Sequence, residues 1–72
     1  MNSKDDNSIR KELGDKLRRA REKTGLTQAE VAAKAKLNDN YYAVIERGEA
    51  NPSYEILQRV MKVLEIKSLD ID

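Results

Sequence analysis

Residues 26–48, LTQAEVAAKAKLNDNYYAVIERG, decide the fold of this chain. Within them, Thr27 and Glu30 match the T-x-x-E capping box, in which each side chain accepts a hydrogen bond from the other residue's backbone amide. Small apolar residues follow at helical spacing, namely Val31, Ala32 and Ala35. A short helix is therefore predicted here, ending in a turn at Lys36 and Leu37.

A second short helix is predicted after this turn. Asn38 is a favourable N-cap residue, and the helix is expected to cover residues 39–47 before Gly48 provides a left-handed stop. Tyr42 and Ile45, three residues apart, would form its inner face. Helices this short are not stable alone, and the small alanines of the first allow close packing. The stretch is therefore predicted to be a helix-turn-helix.

A longer helix is predicted ahead of this unit, starting near Ser8 and ending before Gly25. The apolar residues that give it one core stripe are Ile9, Leu13, Leu17 and Ala20. Gly14 costs about 1 kcal/mol relative to Ala in a helix interior, which indicates that another helix approaches closely there. Residues 1–8, MNSKDDNS, are polar and without periodicity, and we expect them to form a disordered N-terminal arm.

A fourth helix is predicted after a loop at residues 49–52. It is expected to run from about Tyr54 to Leu64, with Ser53 as its N-cap. The apolar residues of its inner face are Ile56, Leu57, Val60, Val63 and Leu64. Ser68 would cap a last short turn, so four or five helices are expected.

The composition limits the function of this chain of 72 residues. One small domain is expected, which we assign to residues 9–72. The absence of Cys and His excludes disulfides, the usual zinc sites and His-based acid–base catalysis. We therefore expect no metal, no cofactor and no enzymatic activity. No apolar run is long enough for a membrane span or a signal peptide, which predicts a soluble, cytoplasmic protein that does not bind a membrane.

Basic side chains are concentrated in the first predicted helix. The net charge is only +1, yet residues 9–24 contain seven basic and three acidic residues, whereas residues 25–72 contain six basic and eight acidic ones. This polarity indicates one basic face and one acidic face. A nucleic-acid-binding surface and a solvated helix surface both produce such a pattern, so the charge alone leaves the two open.

Residues 27–32 (TQAEVA), followed by residues 41–48 (YYAVIERG), closely resemble the Cro/repressor-type helix-turn-helix family of bacterial and phage transcription regulators, also called the xenobiotic-response-element family. Residues 13–21 resemble the first helix of that family and residues 51–64 its fourth. The resemblance extends over roughly residues 13–69. It implies a compact all-α, lambda-repressor-like DNA-binding domain of four to five helices, with the helix-turn-helix at helices 2 and 3.

Two positions are informative in the light of this resemblance. Family members commonly pair an Arg at the position of Arg21 with a Glu at that of Glu46, which implies an ion pair between helices 1 and 3. A direct phosphate contact by Arg21 is the alternative. The family usually has Gly at the position of Lys36, where the backbone is left-handed, and a Lys there costs roughly 1–2 kcal/mol. The turn is therefore expected to be strained or slightly different in geometry.

A recognition helix places its N-terminal turn and one outward face in the major groove. With Tyr42 and Ile45 facing inward, the outward face holds the candidates for contacts to base edges, which are Asp39, Asn40, Ala43 and Val44. Asn can read adenine through a bidentate pair, and small apolar side chains can contact thymine methyl groups. The alternative for Asn40 is a solvent-exposed residue at the helix start, and for Asp39 a favourable interaction with the helix dipole.

Candidates for phosphate contacts surround this face. They are Thr27, Gln28, Asn38, Arg47, Asn51, Ser53 and Arg21. In the family, a Gln at the position of Gln28 commonly binds phosphate and braces the recognition helix. For Thr27 and Asn38 the alternative role is helix capping, and the two roles are compatible. Backbone amides in the loop entering helix 4 would add to phosphate binding.

Two classes of function follow. The resemblance implies a sequence-specific repressor or activator that binds double-stranded DNA as a homodimer at a palindromic operator, because one helix-turn-helix reads only a few base pairs. Dimer contacts are expected from Ile66, Leu69 and Ile71. The alternative is a protein-interaction module of the same fold, such as an antitoxin or a bridging factor, which the modest net charge and Asp39 favour. Salt-dependent binding to duplex DNA discriminates between them.

Overall fold

The computed structural model describes residues 6–67, and within this range four helices follow the predicted order. The helices are α1 (Asp6–Thr24), α2 (Gln28–Ala35), α3 (Asp39–Glu46) and α4 (Tyr54–Leu64). This part of the chain contains no strand, so the all-α prediction is confirmed. Helices α1 and α2 each pack against both α3 and α4, which encloses one core between the four.

The first helix begins earlier than predicted. It starts at Asp6 rather than near Ser8, and an acidic side chain in the first turn is favourable at the positive end of the helix dipole. The last three residues of the arm predicted at residues 1–8 are therefore helical, and residues 1–5 lie outside the described part. The last short turn predicted at Ser68 also lies outside it.

Both ends of α2 have the predicted geometry. The Thr27 hydroxyl accepts a hydrogen bond from the Glu30 amide at 3.0 Å, and the Glu30 carboxylate accepts one from the Thr27 amide at 2.8 Å. At the other end Lys36 has φ 62° and ψ 46°, the left-handed conformation expected where the family has Gly. The Leu37 amide donates to the Ala32 carbonyl at 2.8 Å and closes the turn. The capping box and the left-handed turn are thus both confirmed.

The ends of α3 and α4 also follow the prediction closely. Helix α3 ends at Glu46, one residue before the predicted end, with Arg47 as its C-cap. Gly48 takes φ 78°, the left-handed stop that was expected. Helix α4 has the predicted bounds, and the Ser53 hydroxyl accepts a hydrogen bond from the Ile56 amide at 3.2 Å.

All four helices contribute to the core. The largest fully buried side chains are Leu17, Val31, Tyr42, Ile45 and Val60. The prediction that Ile9 belongs to the core stripe is wrong, because this side chain is 41% exposed. Helix α1 has 19 residues and is about 28 Å long, whereas α3 has 8 residues and is about 12 Å long. The first turns of α1 therefore extend past the helices on which it packs.

Helices α1 and α3 touch through their backbones at Gly14. A Cβ atom at this position would overlap the Glu46 carbonyl group and would lie 2.7 Å from the Ile45 carbonyl oxygen. The close approach inferred from a glycine in a helix interior is therefore confirmed. It fixes the C-terminal end of α3 against α1.

A contact from α4 to the end of α2 was not predicted. The Arg59 Nε donates a hydrogen bond to the Ala35 carbonyl at 2.9 Å, and its Nη2 donates to the Lys36 carbonyl at 3.4 Å. The last carbonyls of a helix lack partners within the helix. The guanidinium therefore caps α2 from a neighbouring helix, where a positive charge is also favourable.

Candidate nucleic-acid interface

The outward face of α3 contains the four predicted base-contacting residues. Tyr42 and Ile45 are buried, which directs the opposite side of the helix away from the core. Asp39 and Asn40 are exposed, and their neighbours one turn later, Ala43 and Val44, are half-buried. The Asn38 side-chain oxygen accepts hydrogen bonds from the amides of residues 40 and 41, at 2.8 and 3.2 Å. The first turn of α3 is therefore held in place by its own cap.

A polar network joins the C-terminal end of α3 to α1 and α2. The Arg21 Nε donates to the Glu46 Oε2 at 2.7 Å, and the Arg21 Nη2 donates to the Glu46 Oε1 at 3.1 Å. The Gln28 side-chain amide donates to the same Oε1 atom at 2.9 Å. The Glu46 side chain is only 3% exposed. The predicted Arg21–Glu46 ion pair is therefore present, and Gln28 completes it.

The protonation states in this network are set by burial and hydrogen bonding. Burial by itself would raise the pKa of Glu46, but the hydrogen bond from Arg21, the nearby Tyr42 hydroxyl, the hydrogen bond from Gln28 and the positive charge of Arg21 together outweigh it, so the pKa lies below its ordinary value. The hydrogen bond to Glu46 raises the pKa of Arg21 despite partial burial. Burial, followed by the nearby Glu46 carboxylate, strongly raises the pKa of Tyr42. The pair is therefore ionised at neutral pH beside a neutral phenol.

The Tyr42 hydroxyl is the one buried side-chain polar atom without a hydrogen-bond partner among residues 6–67. An unpaired buried hydroxyl costs free energy. The Tyr42 ring belongs to the hydrophobic core beneath α3 and orients that helix. Burying the ring buries the hydroxyl with it, which is the origin of this cost.

The network also changes the interpretation of two predicted phosphate contacts. The guanidinium of Arg21 donates to Glu46 and, through Nη1, to the Leu26 carbonyl at 3.1 Å, and its side chain is only 15% exposed. This geometry favours the structural role for Arg21 over a direct phosphate contact. Gln28 directs one amide hydrogen to Glu46 and keeps a second for another acceptor.

The three capping side chains can combine both roles that the sequence left open. Thr27 and Ser53 each accept a hydrogen bond from a backbone amide through the hydroxyl oxygen, and each hydroxyl retains its own hydrogen as a donor. Asn38 caps through its side-chain oxygen, which leaves its NH₂ group as a donor. Capping therefore uses the acceptor of each side chain and leaves a donor of the kind that phosphate requires.

The last two phosphate candidates lie on the exposed loop after α3. The Arg47 Nε is 3.1 Å from the Glu49 Oε1, and both side chains are more than half exposed. Asn51 is exposed and lines a shallow depression with the N-terminal part of α1. The loop at residues 49–52 was predicted, but the contact of Arg47 with Glu49 and the packing of α1 beside the loop were not.

Gly48 is the residue that allows the loop to contact α1. A Cβ atom there would lie 2.7 Å from the Lys11 Cγ and 2.8 Å from the Lys11 Cα. The loop therefore presses on the backbone of α1, and Gly48 has a second role besides the left-handed stop. That role depends on a contact between distant segments, which a local pattern does not reveal.

The predicted dimer contacts are only partly within the described residues. Ile66 is partly buried and packs against the hydrophobic core of its own chain. Leu69 and Ile71 lie outside the described residues.

Residues 6–67 contain neither a metal-binding cluster nor a membrane-spanning helix. This range holds no group of three or more carboxylate, His or Cys side chains placed to bind a metal ion. None of its helices has the length and apolar character needed to cross a membrane.

The fold and this site define a class, the helix-turn-helix DNA-binding domains. A helix-turn-helix family model matches residues 17–71, and the chain belongs to that family. The predicted Cro/repressor-type resemblance and lambda-repressor-like fold are thereby confirmed.

Three relatives give this assignment more detail. The chain is 38% identical over 58 residues to the transcriptional regulator ClgR of Mycobacterium tuberculosis, a match that covers 81% of this chain and 52% of the relative. It therefore spans about half the length of ClgR. It is 32% identical over 63 residues to the uncharacterized HTH-type transcriptional regulator y4dJ of Sinorhizobium fredii, covering 88% of this chain and 82% of the relative.

The third relative is the control protein C.MunI of a Mycoplasma species, 39% identical over 61 residues, with 83% of this chain and 82% of the relative covered. These relatives are named as regulators and a control protein, not as enzymes.

Proposed function

We propose that this protein is a sequence-specific transcriptional regulator that reads the major groove of double-stranded DNA with α3. The observation that carries the proposal is the fixed orientation of that helix. Tyr42 and Ile45 anchor one side in the core, and Asn38 holds the first turn. Asn40 and Val44 are then presented together on the outward face, one turn apart, where a bidentate contact to adenine and a contact to a thymine methyl group are available.

Phosphate contacts would hold α3 in this register. Thr27 and Gln28 lie at the start of α2, and Arg47, Asn51 and Ser53 lie at the connection from α3 to α4. The capping side chains Thr27 and Ser53, and the second amide hydrogen of Gln28, therefore offer donors from the segments that precede and follow the recognition helix in the chain. Contacts of this kind position a protein on the duplex, whereas base contacts supply specificity.

The regulator is further proposed to act in the cytoplasm as a homodimer on a palindromic operator, either as a repressor or as an activator. One recognition helix reads too few base pairs for useful specificity, and two copies on half-sites about one DNA turn apart provide it. The part of Ile66 that the core leaves uncovered, together with Leu69 and Ile71, is the proposed dimer contact. The names of the relatives support a regulatory role.

The first experiment is a titration of the purified protein with a mixed-sequence DNA duplex of about 20 base pairs, which is two helical turns. NMR amide shifts are followed at two salt concentrations. We expect the amides of Gln28, residues 38–44, Arg47 and Asn51 to shift together, and the affinity to fall steeply with salt. If these amides do not move at low salt, the fold serves another purpose, and the protein-interaction module becomes the better hypothesis.

Selection of an operator from random duplexes then tests sequence reading. Asn40→Ala is expected to weaken binding to the selected operator by about 1–3 kcal/mol and to leave binding to the mixed-sequence duplex nearly unchanged. Gln58→Ala, an exposed amide on α4, is the matched control and should change neither. Equal losses on both duplexes would show that Asn40 contributes no base reading.

A further inference from the structure

Basic side chains of α1 and of the loop between α3 and α4 line the surface near Glu49. Two adjoining shallow depressions meet at Lys11 and Glu49, which line both. Arg10 and Asn51 line the first depression, and Arg47 lines the second. We call Arg10, Lys11, Arg47 and Asn51 the flank site.

The flank site brings together parts of the chain that are far apart in sequence. Gly48 lets the loop rest on the backbone of α1, with its Cα carrying no side chain where a Cβ would lie 3.0 Å or less from three Lys11 atoms. The long basic side chains of the first turns of α1 are therefore placed beside Arg47 and Asn51. The overhang of α1 past the core, which exposes Ile9, puts these cations on the surface.

The charge of the flank site is unbalanced. Its three cationic side chains line the same depressions as Glu49, whose carboxylate lies 3.1 Å from the Arg47 Nε. The Arg10 guanidinium donates to the Asn7 side-chain oxygen at 2.7 Å, and that acceptor is neutral. Asp15 also lines the second depression. Its carboxylate lies 3.4 Å from the Arg18 guanidinium and balances the charge of that arginine.

We propose that the flank site binds a phosphodiester group of the DNA backbone beside the recognition helix, and that Glu49 occupies this position in the free protein as an internal carboxylate which the phosphate displaces. The inference rests on the proposed DNA-reading function and extends it to Arg10, Lys11 and Glu49. Three of the predicted phosphate contacts line these depressions: Asn51 the first, and Gln28 and Arg47 the second. The flank site therefore continues the predicted phosphate-binding surface toward α1.

The exchange is physically reasonable because the pair that must open is weak. The side chains of Arg47 and Glu49 are 56% and 57% exposed, and exposed ion pairs contribute little to stability. A phosphate offers more acceptor oxygens to the arginine than a single carboxylate contact, and guanidinium groups bind phosphate in bidentate geometry. Glu49 then lies beside the DNA backbone as a repelling charge. It therefore lowers affinity for every duplex without reading any base.

The test compares Glu49→Gln with Glu65→Gln, which changes the net charge equally. Glu65 is the C-cap of α4, about 16 Å along that helix from its N-terminal end. Affinity for the mixed-sequence duplex is measured by fluorescence anisotropy over a range of salt concentrations. We expect Glu49→Gln to bind about two- to fivefold more tightly than Glu65→Gln, the range given by an exposed ion pair. The slope of log affinity against log salt should be nearly the same for both variants, because the flank site contacts the phosphate in each complex.

Two further variants test the local nature of the effect. In a protein that already carries Arg47→Gln, Glu49→Gln should raise the affinity for DNA much less than it does in the wild type, because the arginine that it would free is absent. Lys11→Gln keeps the aliphatic contact with Gly48 and should lower affinity and flatten the salt slope by about 0.9. Thermal unfolding of each variant verifies that it is folded.

The outcomes separate this inference from the proposed function. Amide shifts in α3 together with identical affinities of Glu49→Gln and Glu65→Gln would overturn the flank site and leave the DNA-reading function intact. A gain from Glu49→Gln that persists without Arg47 would also overturn it, since the effect would then be one of overall charge. No binding of any duplex by the folded wild-type protein would overturn both.

Discussion

Arg21 and Glu46, 25 positions apart in the sequence, form a bidentate ion pair with an Nε–Oε2 distance of 2.7 Å and an Nη2–Oε1 distance of 3.1 Å. Arg21 belongs to α1, and Glu46 is the last residue of α3. Gln28, the first residue of α2, donates to the same carboxylate. One buried carboxylate therefore connects three helices around the proposed DNA-reading face, and the orientation of α3 depends on it.

Replacing Arg21 should destabilise the protein strongly. Arg21→Met leaves the buried Glu46 carboxylate with Gln28 as its remaining strong donor, and loss of one partner of a buried pair costs about 3 kcal/mol in the free energy of unfolding. Urea denaturation measures the change. Arg18→Met is the control, because Arg18 pairs with Asp15 on the exposed surface at 3.4 Å and should cost less than about 1 kcal/mol. Equal effects of the two substitutions would contradict the role assigned to the buried pair.

Stability should fall in acid partly through Glu46. The pKa of Glu46 is lower in the folded protein than the ordinary value of 4.5, which applies to the unfolded chain. The contribution of Glu46 is then fully present above the unfolded pKa and is lost as the pH falls through the folded pKa. The difference in free energy of unfolding between the wild type and Glu46→Gln should therefore stay constant well above pH 4.5 and shrink as the pH falls below that value. A difference that stays constant below that value as well would show that Glu46 does not titrate as described.

Adding one methyl group at Gly14 should separate α1 from α3. The new Cβ would overlap the Glu46 carbonyl, so Gly14→Ala should cost about 1–3 kcal/mol despite the better helix propensity of Ala. Gly25→Ala is the control, since φ is 78° there but no atom lies within 4 Å of the added Cβ. It should cost only the strain of a left-handed residue, about 1–2 kcal/mol. DNA binding distinguishes the two further, because only Gly14→Ala moves the end of the recognition helix.

A glycine at position 36 should stabilise the turn. Lys36 has φ 62°, and Lys36→Gly removes the left-handed strain at the cost of greater freedom in the unfolded chain. We expect a net gain of about 0.5–1 kcal/mol in thermal or chemical denaturation. Lys34→Gly, two residues earlier and inside α2, should instead lose about 1 kcal/mol. A loss at both positions would mean that the lysine side chain at 36 contributes contacts that outweigh the strain.

The local features of the fold were predictable because each depends on residues close together in the sequence. The capping box of Thr27 and Glu30, the caps at Asn38 and Ser53, and the stop at Gly48 involve groups within three or four positions. The proposed base-contacting face followed as well, since helical spacing alone determines which side of α3 lies opposite Tyr42 and Ile45. The Arg21–Glu46 pair was available only through the resemblance to the family.

The contacts that were missed involve the relative placement of helices. Ile9 fits the apolar stripe of α1, but the sequence does not show that the other helices end before they reach it. The caps that Arg59 provides for α2 and the seat of Gly48 on Lys11 join segments more than twenty positions apart.

The sequence by itself therefore determined four helices, the turn between α2 and α3 and the outward face of the recognition helix, because hydrogen bonds within a few residues and the helical period fix these features. Only the tertiary structure decided that Gln28 shares the carboxylate of Glu46 and that cations of α1 line the same depressions as Glu49. Those arrangements arise from how closely α1 can approach α3 and the loop after it, and that distance is set by packing between helices.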